Sequence, residues 1–289
     1  MLNNIPNNAK IELDLSFLQP HYDKIDLPSM GSPYPESNPF SKGSVRIRPW
    51  GSTEEQYVDN FNKGNFYTII ESLLSNAILE KCDITKLTLG DAFYILYWIR
   101  SLSYGSKYEL ETQCPHCNEI VKVSVDISEC PIKYLDTNLT ECNFILPSSK
   151  IEVKYRLTYL EDMIESTTKN DKTKIGGKSK FSAEINRLIR VVTEMTLPNE
   201  NKDVLTYTKD LAILKNKIWP LIPAIDIIAL KEEMSKYDHG YVDPIFVKCP
   251  ECKESFEQSP LISYEFFRPS VGKPTENSKL SVDVSQSES

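Results

Sequence analysis

Cys114-Pro-His-Cys117 and Cys249-Pro-Glu-Cys252 repeat one pattern at two distant places in the chain. Each is a tight, proline-containing turn that offers two sulfurs on one side. Four thiolates on two such turns make the closed tetrahedral shell of a zinc ribbon, a site that builds structure and leaves no position open for activating water. The spacing therefore predicts structural zinc held by Cys114, Cys117, Cys249 and Cys252. It also predicts a clamp between the middle of the chain and its C-terminal part, with everything between them an excursion from a closed loop.

The sequence beside the turns fits hairpins. Tyr108, Leu110 and Thr112 alternate into the first turn, and Val121, Val123, Val125 and Ile127 alternate out of it, the period-two pattern of half-buried strands. Asn118 directly after Cys117 tolerates the left-handed backbone that such a turn needs. Pro244–Val247 leads into the second turn, and Ser259–Phe267 is read as the strand beyond it. The ribbon halves thus fall at about 106–127 and 244–267. A redox role for either pair would require a strand–turn–helix setting, which the flanking strands do not provide. His116 and His239 are the only substitute ligands in view, and four cysteines already fill the shell.

Helical signals lie on both sides of the first turn. Ser52-Thr-Glu-Glu55 caps one helix with acidic first-turn residues. A second runs from about Phe66 to Glu80, with Ile69, Ile70, Leu73, Leu74, Ala77 and Ile78 on one broad face. A third starts at Thr88, with Asp91 as a capping-box variant, and stops at Gly105. Its apolar residues wrap nearly all round, so it is expected to be buried on most sides. Cys142–Leu146 and Ile151–Leu157 read as another hairpin. The segment from about 158 to 238 reads as a helical excursion. In it Ile185, Leu188, Ile189, Val192 and Met195 follow helical spacing, and further helices cover about Val204–Asn216 and Pro223–Tyr237.

The fold class is therefore α+β, helices packed around a β-rich unit closed by the ribbon. Residues 1–42, rich in Asn, Pro and Ser, read as an extended or partly disordered arm with a short strand at Ile11–Phe17. Residues 43–271 read as the folded domain, and 272–289 as a disordered tail.

Composition narrows function. The 289 residues carry a net charge of −8, which disfavours a nucleic-acid binder reliant on clustered Lys and Arg. The lysine-rich stretch from Lys169 to Lys180 is the exception, and a zinc-ribbon nucleic-acid-binding or transcription regulatory protein is the alternative reading. Seven cysteines, four of them in ligand spacing, fit a reducing compartment better than a disulfide framework. No secretory leader pattern or membrane-length apolar run is seen. Gly177-Lys-Ser179 has the tail of a phosphate-binding loop but lacks its upstream glycine. No nucleophile, base and orienting group occur together, so no enzyme is expected.

The run Ser44-Val-Arg-Ile-Arg-Pro-Trp-Gly-Ser-Thr-Glu-Glu55, the helix Asp91-Ala-Phe-Tyr-Ile-Leu-Tyr-Trp-Ile-Arg100 with Tyr104-Gly105, and the Cys114 turn ending in Val125-Asp126-Ile127 together resemble the T4-type phage baseplate hub and tail-assembly proteins. Ser263-Tyr-Glu-Phe-Phe-Arg268 resembles their C-terminal part. The resemblance covers roughly residues 43–130 and 244–269. Lys253 departs from it by standing where such turns usually have Gly. The resemblance implies a non-enzymatic role in contractile-tail baseplate assembly. Its partners would be other hub or tail-assembly proteins, met in the host cytoplasm during assembly or in the virion baseplate.

Overall fold

The computed structural model describes residues 21–59, 66–135, 142–167, 174–175, 178–179, 181–242, 244–259, 262 and 264–267. The expected strand at Ile11–Phe17 and the tail at 272–289 lie outside them. So does most of the lysine-rich stretch, apart from the short pair at 174–175 and 178–179.

Strands β1 (Asp23–Asp26) and β2 (Ser44–Ile47) pair antiparallel. Between them Leu27 and Phe40 are fully buried. Residues 21–42 are thus part of the fold, which corrects the reading of that half as an extended arm. The prolines that argued for an arm instead mark tight turns, while the apolar residues between them enter the core. Helices α1 (Ser52–Asp59), α2 (Phe66–Ala77) and α3 (Leu89–Tyr104) follow. Helix α2 buries Ile69, Ile70, Leu73, Leu74 and Ala77, the face its spacing predicts. Helix α3 is buried from Asp91 to Arg100 on most of its circumference.

Strands β3 (Lys107–Gln113) and β4 (Ile120–Asp126) form the first ribbon hairpin, in register from Lys107↔Asp126 to Gln113↔Ile120. The short strand β5 (Ile132–Lys133) comes next. The excursion then builds its own sheet from β6 (Cys142–Ile145) and β7 (Glu152–Tyr155). Helix α4 (Leu160–Thr167) and the two-residue strands β8 (Lys174–Ile175) and β9 (Lys178–Ser179) precede α5 (Ala183–Val191). Strands β10 (Val192–Thr196) and β11 (Val204–Thr206) complete an antiparallel sheet in the order β11-β10-β7-β6.

That sheet corrects the purely helical reading of residues 158–238. Val192 and Met195 continue the helical spacing of α5, yet they sit in β10, where Met195 pairs with Val153. Val204–Thr206 is likewise strand before α6 (Tyr207–Ile213) begins. A π-type turn (Leu214–Ile218), a 3-10 turn (Trp219–Leu221) and α7 (Ala224–Ser235) return the chain. Strand β12 (Gly240–Tyr241) pairs with β5, and β13 (Ile245–Lys248) pairs with β14 (Ser255–Gln258) as the second ribbon hairpin. Beyond it Tyr264–Phe267 forms one helical turn, α8, where sequence predicted strand. Phe266 and Phe267 are fully buried there.

Two apolar cores result. The first joins β1, β2, α2, α3, both ribbon hairpins and the two phenylalanines. The second fills the excursion, centred on Val153, Leu188, Ile189, Met195 and Trp219. The return from the second to the first is made at a close crossing. A Cβ on Gly90 would stand 2.3 Å from the His239 carbonyl oxygen, and Gly240 adopts φ +102°. Only glycine allows the two backbones to approach so nearly.

Candidate metal centre

The two Cys turns share one local geometry. Cys114 N–H donates to the Glu119 carbonyl (3.0 Å) and Asn118 N–H to the Cys114 carbonyl (2.9 Å); the second turn repeats this with Cys249 to Glu254 (2.9 Å) and Lys253 to Cys249 (3.1 Å). The residue after each pair turns left-handed, Asn118 at φ +60° and Lys253 at +66°. Lys253 therefore adopts the conformation for which glycine is preferred, at a steric cost. Each turn closes a β-hairpin, and the hairpins are joined by Thr112 Oγ1 donating to Gln258 Oε1 (2.6 Å).

All four sulfurs lie within 4.8 Å of one another. Cys114 Sγ is 3.8 Å from Cys252 Sγ, and Cys117 Sγ is 3.8 Å from Cys249 Sγ. These separations are far too long for disulfides, whose S–S bond is about 2.05 Å. They match the edges of a tetrahedral shell with metal–sulfur bonds of about 2.3 Å, which are about 3.8 Å long. The four predicted residues are thus brought together in a cluster that could hold a metal ion. Cys114 and Cys249 are fully buried and their partners half-buried.

Electrostatics favour anionic sulfur at one position. Burial pushes the Cys249 thiol up, but the N–H groups of Cys252 and Glu251, with its cysteine neighbours, bring it down to about 7. Cys252 accepts a lowering hydrogen bond from the Glu254 N–H, yet burial and its three cysteine neighbours push it up to about 12. Without a cation the cluster therefore tolerates few negative charges at once. A bound dication reverses that balance and permits several thiolates.

Neither histidine joins the cluster. His116 Nε2 lies 3.3 Å from the Ser255 carbonyl, fastening one turn to the opposite hairpin. His239 sits at the glycine crossing, with Nε2 2.8 Å from Thr88 Oγ1 and Nδ1 3.2 Å from the Tyr237 carbonyl. A cavity of about 690 Å³ opens beside His239, between the two cores, walled by Phe93, Tyr97, Tyr155, Tyr237 and Tyr241. Asp238 on its wall has its carboxyl raised by burial, partly offset by Lys133, His239 and Arg187. Both His239 nitrogens have hydrogen-bond partners.

The comparisons with known proteins bear on this architecture directly. The family model described as T4 bacteriophage base plate protein matches residues 24–267, a span that encloses both Cys turns and both cores. The chain belongs to this family. No curated protein and no solved structure matches it.

The base plate family stretch also explains the residues that carried the resemblance. Asp91 is fully buried and accepts from Ser29 N–H (3.1 Å), Ser29 Oγ (2.5 Å) and Tyr34 OH (2.5 Å). It does not reach back to the Thr88 N–H as a capping box would; Tyr34 OH accepts that donor at 3.0 Å. Thr88 still caps α3, accepting from Asp91 N–H at 3.3 Å. Asp91 thus ties residues 29–34 to α3, a role sequence reasoning missed because its partners lie about sixty positions away. Arg100, also buried, donates to the Gly105 carbonyl and stands over the Phe266 ring at 5.9 Å. Trp50 packs on Phe267, with centroids 5.9 Å apart. In this base plate protein, the β2–α1 entry, the middle of α3 and the last helical turn are therefore one packed unit beside the ribbon. No helix among the described residues is long and apolar enough to cross a membrane.

Proposed function

We propose that this chain is a non-enzymatic baseplate hub component or assembly factor of a contractile phage tail. It would act through contacts with other hub or tail-assembly proteins, in the host cytoplasm during assembly or at the virion baseplate. The observation that carries the reading is the family match over residues 24–267. In this reading Cys114, Cys117, Cys249 and Cys252 bind one zinc ion with a structural role. The donor set is all sulfur, the 3.8 Å separations fit tetrahedral ligation, and two of the four ligands, Cys114 and Cys249, are fully buried.

Zinc would supply rigidity here. The chain's own residues do the rest: the hairpins set the direction of their outer faces, and the two cores hold those faces in a fixed relation. The test is complementation of a phage lacking this protein. Wild-type protein restores complete baseplates and, once purified, contains one zinc per chain; Cys114→Ser and Cys252→Ser lose the metal and the restored assembly. Normal baseplates in the absence of the chain would overturn the assembly role. Full thermal stability in metal-free Cys114→Ser would overturn the structural role of the metal.

A further inference from the structure

The first ribbon hairpin leaves one of its edges open. Ile127 N–H donates to the Ser106 carbonyl (2.9 Å) and Cys114 N–H to the Glu119 carbonyl (3.0 Å), one bond at each end of the β3–β4 ladder. An antiparallel ladder alternates, so the even-numbered positions of β3 bond to β4. The N–H and C=O groups of Lys107, Glu109, Glu111 and Gln113 therefore point the other way. Strand β13 packs beside β4, but on its far side β3 pairs with no further strand among the described residues. Edges are usually blunted by a proline, a bulge or brevity. The seven residues of β3 pair with β4 without a register shift, and none is Pro or Gly. The edge is a straight template for another strand.

The side chains along that edge select what it takes. Lys107, Glu109, Glu111 and Gln113 are all exposed and share the outer face of the hairpin with Lys122 and Ser124. Lys107 faces Asp126 and Glu111 faces Lys122, whereas Glu109 has only Ser124 across from it. A second copy adding its own β3 antiparallel, in the register of full overlap, would set Glu109 against Glu111 at two places, which like charges disfavour. The opposite face of the hairpin carries Val121, Val123 and Val125 into the first core. An added strand thus meets carboxylates on one face and the border of an apolar core on the other. We propose that the outer edge of β3 docks an extended strand of another protein in which basic residues alternate with apolar ones. Its basic residues stand beside Glu109 and Glu111, its apolar residues fall on the core side, and its main chain bonds to the four outward-facing positions. The site is argued from the hairpin alone and does not depend on the baseplate reading.

The test uses the purified full-length protein and labelled peptides of about nine residues, long enough to cover the seven of β3. One alternates Lys with Val, and its twin alternates Glu with Val. In fluorescence anisotropy the lysine peptide binds and the twin does not. N-methylation of one alternate set of its backbone N–H groups abolishes binding and of the other set leaves it, because a docked strand turns only one set towards β3. Glu109→Pro removes an outward donor without breaking a bond to β4, so near-ultraviolet circular dichroism stays that of the wild type while affinity falls about tenfold or more. E109K/E111K binds the glutamate twin in preference. Equal effects of the two methylations, unchanged affinity in Glu109→Pro, an unchanged preference in E109K/E111K, or no binding at all overturns the proposal. A dimer in sedimentation that Glu109→Pro dissolves also overturns it, assigning the edge to a second copy.

Discussion

Asp226 shows how a single buried carboxylate can hold two segments in register. It is fully buried in the first turn of α7 and accepts the N–H groups of Ser148 (2.7 Å) and Ser149 (2.9 Å), in the turn between β6 and β7. Burial raises its pKa, but those N–H groups and Lys150 outweigh burial and set it below the ordinary carboxylate value. A depressed folded value means that stability is present above the unfolded pKa of about 4 and is lost as pH falls through the folded one. Asp226→Ala should therefore cost about 1–2 kcal/mol in urea unfolding at pH 7. The difference from wild type should shrink as pH drops below about 4; a pH-independent difference would contradict the assignment. The sequence marks Cys142–Leu146 and Ile151–Leu157 as a hairpin and about Pro223–Tyr237 as a helix. Nothing local could say that one satisfies the other across nearly eighty residues.

Among elements, the two Cys turns were the most legible, because four ligands at fixed spacing leave few physical alternatives. Helices α2 and α3 were legible for a similar reason: α2 carries a broad apolar face, and α3 is a long apolar run bounded by Thr88 and Gly105. The switch from α5 to β10 was not. Val192 and Met195 extend the i, i+3, i+4, i+7 pattern of α5, so spacing alone runs the helix on. The β-branched Val191-Val192-Thr193 and pairing to β7 decide against it. Pairing of that kind is tertiary and leaves no mark on a local window. Within the ribbon, Lys253 at φ +66° allows a direct check. Lys253→Val should lower stability by about 1–2 kcal/mol, since a β-branched residue resists the left-handed region, while Lys253→Gly should match wild type or exceed it. Equal melting temperatures for the valine and glycine variants would mean that this turn relaxes freely.

Across the whole molecule the ribbon and the two cores divide the work of stability. With a metal held by the four sulfurs as proposed, the clamp would close a loop of more than a hundred residues, and a cross-link over such a span is worth about 4–5 kcal/mol in the chain-entropy account. The hairpins also bury Val121, Val123, Val247 and Phe256 in the first core, so removal of the proposed metal would loosen them without erasing their packing. The second core shares no sulfur ligand. Stripping metal with a chelator should thus lower the melting temperature by on the order of 10 °C. Amide exchange should rise first in β3, β4, β13 and β14, with β7 and β10 still protected. Simultaneous loss of protection in both regions would show that the two cores form one cooperative unit. The division into two cores was not legible beforehand, because both are built from the same apolar residue types and only contacts tell them apart.

The distance between the two Cys pairs also has a temporal meaning. A ribosome delivers Cys114 and Cys117 early, and must then emit the entire second core before Cys249 and Cys252 exist. Until that moment the nascent polypeptide displays a hairpin with only two of the four proposed ligands, and α3 lacks the two phenylalanines that finish its packing. In the structural-metal reading, tight retention of the ion is therefore a property of chains that already include Cys249 and Cys252, and shorter chains remain marked by bare thiols.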